Sequence, residues 1–206
     1  TTGVSKDGHA LFPIMPYKAY READSMDIVA VIAYLRTLKP IAVNQDKSKS
    51  DFPMNFIVNL MPEKAALRPI PDTNDILKYG KYMAVISGCQ ICHTKEEQGK
   101  AVGQPFAGGN EYKMPDGSKV YSLNITPDKA TAIGNRSKAA FVARFKVYKN
   151  DNKSPEKVGK GDFQTIMPWT MYADKETKDL EAIYAYLQSL PPVNNKVIKY
   201  SPPPDK

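Results

Sequence analysis

The stretch Gly88-Cys89-Gln90-Ile91-Cys92-His93-Thr94 holds both cysteines of a 206-residue chain and one of its two histidines. Thiols three positions apart lie one helical turn from each other and project from the same side of a short helix. An imidazole follows directly on the second thiol.

This Cys-x-x-Cys-His spacing reads as an attachment site for c-type haem. Two thiols at that separation can add to the two vinyl groups along one porphyrin edge, and the adjacent imidazole can turn under the ring to ligate iron. Three other readings compete. A structural disulfide leaves His93 without a role. A thioredoxin-like redox pair calls for a flanking βαβ pattern, which the chain lacks. A zinc site needs a fourth cysteine or histidine, and only the distant His9 remains.

Outward from the motif the pattern is helical. Asn74 can cap a helix that runs to Ile86, with Gly88 as its stop. Leu180, Ile183, Tyr184 and Leu187 recur at i, i+3, i+4 and i+7, one face of a helix from about Lys175 to Ser189 that Pro191-Pro192 ends. Ser137 can cap a third helix carrying Phe141, Phe145 and Tyr148. Gly80 would let the first and last of these helices cross closely, under Tyr184 or Tyr186.

Composition bounds the class. Hydrophobic residues make up 42% and charged residues 25%, the balance of a globular chain. No run reaches the roughly 18 apolar residues of a membrane span. The net charge of +7 suits an acidic partner or an anionic surface. Its lysines are scattered and form no arginine-rich or aromatic-interleaved stripe, so nucleic acid is not an expected partner.

A haem iron held by His93 needs a second axial ligand, and with no second histidine nearby a methionine thioether is the natural donor. Eight methionines compete, and methionine is usually core filler. An internal repeat narrows the choice. Met167-Pro168-Trp169 leads through Leu180-Glu181-Ala182-Ile183-Tyr184-Ala185-Tyr186-Leu187 to Pro192. Met15-Pro16-Tyr17 leads through Ile28-Val29-Ala30-Val31-Ile32-Ala33-Tyr34-Leu35 to Pro40. The two blocks align without a gap, with about ten identities. Met167 matches Met15, whereas Met171 matches Ala19. A ligand role should survive duplication, so Met167 is the expected axial ligand and Met171 the expected packing residue.

With these motifs in order, residues 74 to 195 resemble the c-type cytochromes that serve as electron-transfer subunits beside periplasmic alcohol and gluconate dehydrogenases. The matching stretches are Cys89-Gln90-Ile91-Cys92-His93-Thr94, Pro105-Phe106-Ala107-Gly108-Gly109, Asn124-Ile125-Thr126-Pro127-Asp128, Thr131-Ala132-Ile133-Gly134 and Met167-Pro168-Trp169. The resemblance implies an all-α fold: a class I cytochrome c-like haem domain with long loops, plus an N-terminal partial cytochrome c-like helical segment. It implies a haem-binding set of Cys89, Cys92, His93, Met167, Pro105, Asn124, Thr126, Ile133, Trp169 and Tyr172, with His93 and Met167 on the iron. Pro105 would offer its carbonyl to the other nitrogen of His93. Turn chemistry around Pro127 explains Asn124 and Asp128 equally well. Where the family carries Thr-Gly-Ile-Gly-x-Trp, this chain has Thr131-Ala132-Ile133-Gly134-Asn135-Arg136, so a propionate-side indole is lost and Arg136 stands in its place.

The larger departure lies at the start. Residues 1–41 look like the distal half of a first haem domain whose own Cys-x-x-Cys-His is absent, residues 42–73 read as a linker, and residues 74–206 form the complete haem domain. From His93 to Met167 is 74 residues, which would put the attachment site belonging to Met15 before Thr1. The apolar face of Ile28, Val31, Leu35 and Leu38 then needs a cover.

The expected function is electron transfer by one covalent haem c with His/Met ligation, within a di-haem or multi-haem protein. Such a protein would pass electrons from a periplasmic dehydrogenase to a terminal oxidase or another cytochrome. The expected location is periplasmic or periplasm-facing, with any membrane association made through segments outside this sequence. Two rivals are a peroxidase-type haem enzyme with a displaceable sixth ligand and a scaffold that kept the fold without its first haem.

Overall fold

The computed structural model describes residues 1–12, 15–43, 48–98, 100–149, 157–159 and 161–204. The chain divides into two compact units, residues 1–71 with 85–88, and residues 72–84 with 89–206. Of the expected linker, residues 44–47 lie outside the described residues.

The first unit holds helices α1 (Tyr17–Tyr20), α2 (Ser25–Thr37) and α3 (Met54–Ile57), the last continuing into a 3-10 turn, Val58–Leu60. Asp24 caps α2 by accepting the N–H of Met26 at 2.6 Å. Much of the expected linker is tied into this unit. The N–H groups of Glu63, Ala66 and Arg68 donate to the carbonyls of Thr2, Arg21 and Ala23, Arg21 pairs with Glu63, and Ile70 donates to the carboxylate of Asp24 at 2.9 Å. Such pairing gives the segment's backbone polar groups the partners they need.

In chain order there follow α4 (Ile76–Ile86), α5 (Cys89–Cys92), β1 (Glu96–Glu97), β2 (Lys100–Ala101), β3 (Glu111–Lys113), β4 (Lys119–Tyr121), α6 (Lys138–Lys146), α7 (Trp169–Tyr172), α8 (Thr177–Ser189) and β5 (Tyr200–Ser201). Helix α4 begins with Asp75 rather than Asn74 as its side-chain cap. Asp75 Oδ1 accepts the N–H of Lys78 at 3.1 Å, while the amide of Asn74 turns back to Asp72. Gly88, at φ +68°, takes the left-handed turn that ends the helix. Helix α6 opens as expected, with Ser137 Oγ accepting from Ala140 at 3.2 Å.

The core of the second unit forms where α8 lies on α4 and α6. Leu180, Ala182, Ile183 and Leu187 of α8 are buried, as are Tyr79, Tyr82, Met83 and Ala84 of α4 and Phe141 of α6. At the crossing, a Cβ on Gly80 would stand 2.0 Å from the carbonyl oxygen of Ala182 and 3.0 Å from the Cβ of Tyr186. Only glycine permits that approach. Tyr79 secures it by donating to Asp179 at 2.7 Å.

The all-α expectation needs amending, because β1 and β2 form a hairpin and β3, β4 and β5 a three-stranded antiparallel sheet. The turn between β3 and β4 closes through Met114 N–H to the Ser118 carbonyl at 2.9 Å, with Gly117 at φ +89°. The C-terminal tail then adds β5 on the free edge of β4. Among the described residues, no helix is long and apolar enough to cross a membrane.

The repeat is carried in the backbone. Helices α1 and α2 have the same bounds as α7 and α8, displaced by 152 residues. Tyr17 N–H donates to the Met15 carbonyl at 2.7 Å, and Trp169 N–H to the Met167 carbonyl at 2.8 Å. The residues ending the long helices, Leu38 and Leu190, are both extended and bond back to Leu35 and Leu187 at 3.3 Å. Burial differs: α8 buries four residues, whereas α2 buries none and leaves Val31 and Leu35 each 56% exposed.

Candidate functional site

Cys89 and Cys92 stand at the two ends of the single turn α5, with both thiols free. That geometry leaves the pair available for covalent attachment. Burial pushes the Cys89 thiol up to about 11, against the pull of Lys175. Burial likewise lowers Lys175, opposed by Cys89 and Asp179.

His93 follows α5, its N–H bonded to the Cys89 carbonyl at 3.0 Å. The ring Nδ1 lies 2.7 Å from the carbonyl oxygen of Leu123. A carbonyl only accepts, so Nδ1 carries the proton and Nε2 keeps its lone pair. Burial depresses the ring's pKa, with the Leu123 bond acting the other way, and the neutral form required for ligation is favoured.

The carbonyl expected at this position was that of Pro105, and the structure puts Leu123 there instead. Pro105 is exposed. The residues after it are turned inward by Phe106 at φ +63° and by Gly108 and Gly109, at +73° and +90°. Phe106 N–H donates to Thr94 Oγ1 at 3.2 Å and Gly108 N–H to the His93 carbonyl at 2.7 Å. A Cβ on Gly108 would meet the Leu123 backbone at 2.5 Å, so this glycine lets the Leu123 segment close on the histidine.

Asn124 and Thr126 are 3% and 1% exposed. The Asn124 amide donates to Val193 at 2.7 Å, Thr131 at 3.2 Å and Asn195 at 3.3 Å. Its Oδ1 accepts from the N–H and hydroxyl of Thr126 at 3.0 and 2.8 Å. Asn195 in turn donates to the Ala107 carbonyl at 2.8 Å, and Ile133 N–H to the Thr126 carbonyl at 3.2 Å. One network therefore joins the loops at 105–109, 122–126, 131–134 and 193–195. Asn124 is its node, and each of its side-chain donors and acceptors is engaged by the protein.

Met167, Trp169 and Tyr172 form a second group, in which Trp169 and Tyr172 pack on α6. Phe145 lies 5.2 Å from the Trp169 ring and 6.3 Å from that of Tyr172. Tyr148 stacks on Trp169 at 5.4 Å, and Arg144 lies over its face at 4.6 Å. Lys146 donates to the carbonyls of Ala173 and Lys175 beyond the end of α7. Met171, the expected packing residue, is instead 78% exposed, because its position on α7 faces outward; Met167 is half-buried. The indole Nε1 of Trp169 is buried and has no hydrogen-bond partner among the described residues.

Two residues that the sequence reading missed are Leu123, whose role lies in its carbonyl, and Tyr112. The Tyr112 hydroxyl accepts from the Asn110 amide at 3.1 Å and reaches the Cys92 carbonyl at 3.5 Å. Burial and the neighbouring Cys92 both raise its pKa. Its pattern signal, a tyrosine in a three-residue strand, was too short to read.

The residues present fit a covalently attached haem. Two free thiols stand on one turn beside a histidine with one nitrogen occupied, and in the segment of the candidate methionine a buried ring donor has no partner among the described residues.

No protein-family model matches the chain. The chain is similar to the cytochrome c subunit of gluconate 2-dehydrogenase from Pantoea cypripedii, 36% identical over 124 residues, which are 59% of this chain and 25% of that protein. It is similar to the cytochrome c subunit of quinone alcohol dehydrogenase from Gluconobacter oxydans (strain 621H), 36% identical over 111 residues, 54% of this chain and 20% of that protein. The corresponding subunit from Gluconacetobacter polyoxogenes is 29% identical across 93% of this chain and 42% of its own length. The resemblance read from the motifs is thus to dehydrogenase cytochrome subunits, and the chain spans less than half the length of these relatives.

Proposed function

We propose that this chain is an electron-carrying part of a dehydrogenase's cytochrome subunit, with one haem c in its second unit. Cys89 and Cys92 would hold the group through thioether bonds, His93 Nε2 would ligate the iron, and Met167 would supply a second ligand. Bound there, the haem supplies one-electron chemistry between ferric and ferrous iron. The observation that carries the reading is His93: its Nδ1 proton is committed to Leu123, which orients Nε2 and raises its basicity as a ligand. A thioether from Met167 would favour the ferrous form and leave no position for a substrate. The chain's own work is then to hold two axial ligands in place and exclude water, not to transform a substrate.

Two features support a second, incomplete site in the first unit. The Met15 segment and α2 repeat the backbone of the Met167 segment and α8, and Ala30, Val31 and Leu35 of α2, which match the buried Ala182, Ile183 and Leu187 of α8, are exposed. Met15 would serve a haem whose attachment motif lies outside this sequence. The similarity to gluconate and alcohol dehydrogenase subunits supports a periplasm-facing location, with a dehydrogenase as electron donor and a respiratory-chain component as acceptor.

Ligand exclusion tests the reading against a peroxidase-type enzyme. The ferric protein should fail to bind azide and the ferrous protein carbon monoxide. Rapid binding of either to unaltered protein would show an open or displaceable sixth position and reject the carrier.

A further inference from the structure

We infer that the indole N–H of Trp169 donates a hydrogen bond to a propionate of the haem held by the second unit. This rests on the haem reading above and adds the partner of one particular atom.

Trp169 Nε1 is buried and has no partner among the described residues. The faces of its ring are occupied by α6 and the turn after it, through Phe145 at 5.2 Å, Arg144 at 4.6 Å and Tyr148 stacked at 5.4 Å. A buried donor left unsatisfied costs about 1–3 kcal/mol, and a phenylalanine would fill the same stack without that cost. The first unit repeats the observation. Tyr17 occupies the corresponding place, two residues after Met15 and at the start of α1, and is 3% exposed. Its hydroxyl is also buried with no partner among the described residues, and a Cβ on Gly3 would stand 2.7 Å from its ring. Indole and phenol share a single donor at the ring edge, and in both units that donor is buried with no acceptor among the described residues. Two such donors at matched places point to an acceptor that belongs to a bound group.

Haem chemistry restricts what that acceptor can be. The four pyrrole nitrogens are committed to iron, which leaves the two propionates as the acceptors on the periphery. Arg144 adds to the fit. Its positive charge over the indole face draws electron density from the ring, strengthens the N–H as a donor and favours an anion at its edge.

Trp169→Phe in the haem-loaded protein keeps the aromatic stack and removes the donor. An unshared propionate charge stabilises ferric iron, so the midpoint potential should fall. The propionate bending mode in the resonance Raman spectrum should shift, with haem content and the sulfur-to-iron band unchanged. The chain has one tryptophan, so the unaltered ferrous protein should give one indole ¹⁵N–H resonance, moved downfield as for a carboxylate acceptor. That spectrum decides the matter where the variant does not fold. An unchanged potential and propionate mode in the variant, or an indole resonance at the position of a free or water-bonded ring, would overturn the assignment. Absence of the sulfur-to-iron band from unaltered protein would instead reject the ligation on which it rests.

Discussion

His93 and Leu123, 30 residues apart in the chain, meet through a 2.7 Å contact between the imidazole Nδ1 and a main-chain carbonyl oxygen. No side chain can replace a carbonyl, so the arrangement depends on what holds the Leu123 backbone in place. That is Asn124, the next residue, whose amide gathers Val193, Asn195 and Thr131.

Asn124→Ala should therefore cost about 3 kcal/mol, the penalty of leaving several buried donors and acceptors unpaired. The midpoint of denaturant unfolding should drop with no change in its slope. A loss under about 1 kcal/mol would show that the loops hold without this node.

Gly80→Ala in an isolated helix would be favourable by about 0.5–1 kcal/mol. Here the added Cβ meets the Ala182 carbonyl oxygen at 2.0 Å, so α4 and α8 would have to separate, at a cost of about 3 kcal/mol. Thermal unfolding should show a lowered transition. A raised one would mean that the helices do not cross at this glycine.

Asp128 carries a pH dependence. Its carboxylate accepts from the Thr131 hydroxyl at 2.6 Å, the Thr131 N–H at 2.7 Å and the Ala130 N–H at 3.1 Å, bonds that hold its pKa below the ordinary 3.8. A depressed folded-state value contributes stability that is present above the unfolded pKa and is lost as pH falls through the folded one. Asp128→Ala should thus melt below the parent at neutral pH, and the gap should shrink once pH passes below about 3.8. A gap that stays constant down to strongly acid pH would assign the effect to packing alone.

Long periodic elements were legible in the sequence because their cause is local. The recurrence of Leu180, Ile183, Tyr184 and Leu187 predicts α8, although Lys175, placed in that helix, closes the turn after α7 by bonding to the Tyr172 carbonyl. Ser137 caps α6 as its type suggests. The gapless repeat matches α2 to α8 at the same offset, although the short helices α1 and α7 that precede them carry no periodic signal, and Gly80 anticipated the close crossing.

What escaped the sequence depends on backbone direction. Which carbonyl faces His93 follows from the left-handed turn at Phe106, a conformation that phenylalanine does not announce. Strands of two or three residues are too short to show a period of two, so the two sheets went unread. Met171 could be separated from Met167 by the repeat, but its outward direction came only with the fold.

The most direct test of the account joins intact mass with the ferric absorption spectrum, comparing the parent with Met167→Ala and Met171→Ala. The account predicts a mass increase of one haem on this chain, lost when Cys89 and Cys92 are replaced. It also predicts a weak long-wavelength sulfur-to-iron band that vanishes in Met167→Ala and persists in Met171→Ala. A chain without covalent haem, or a band that survives loss of Met167, would contradict it.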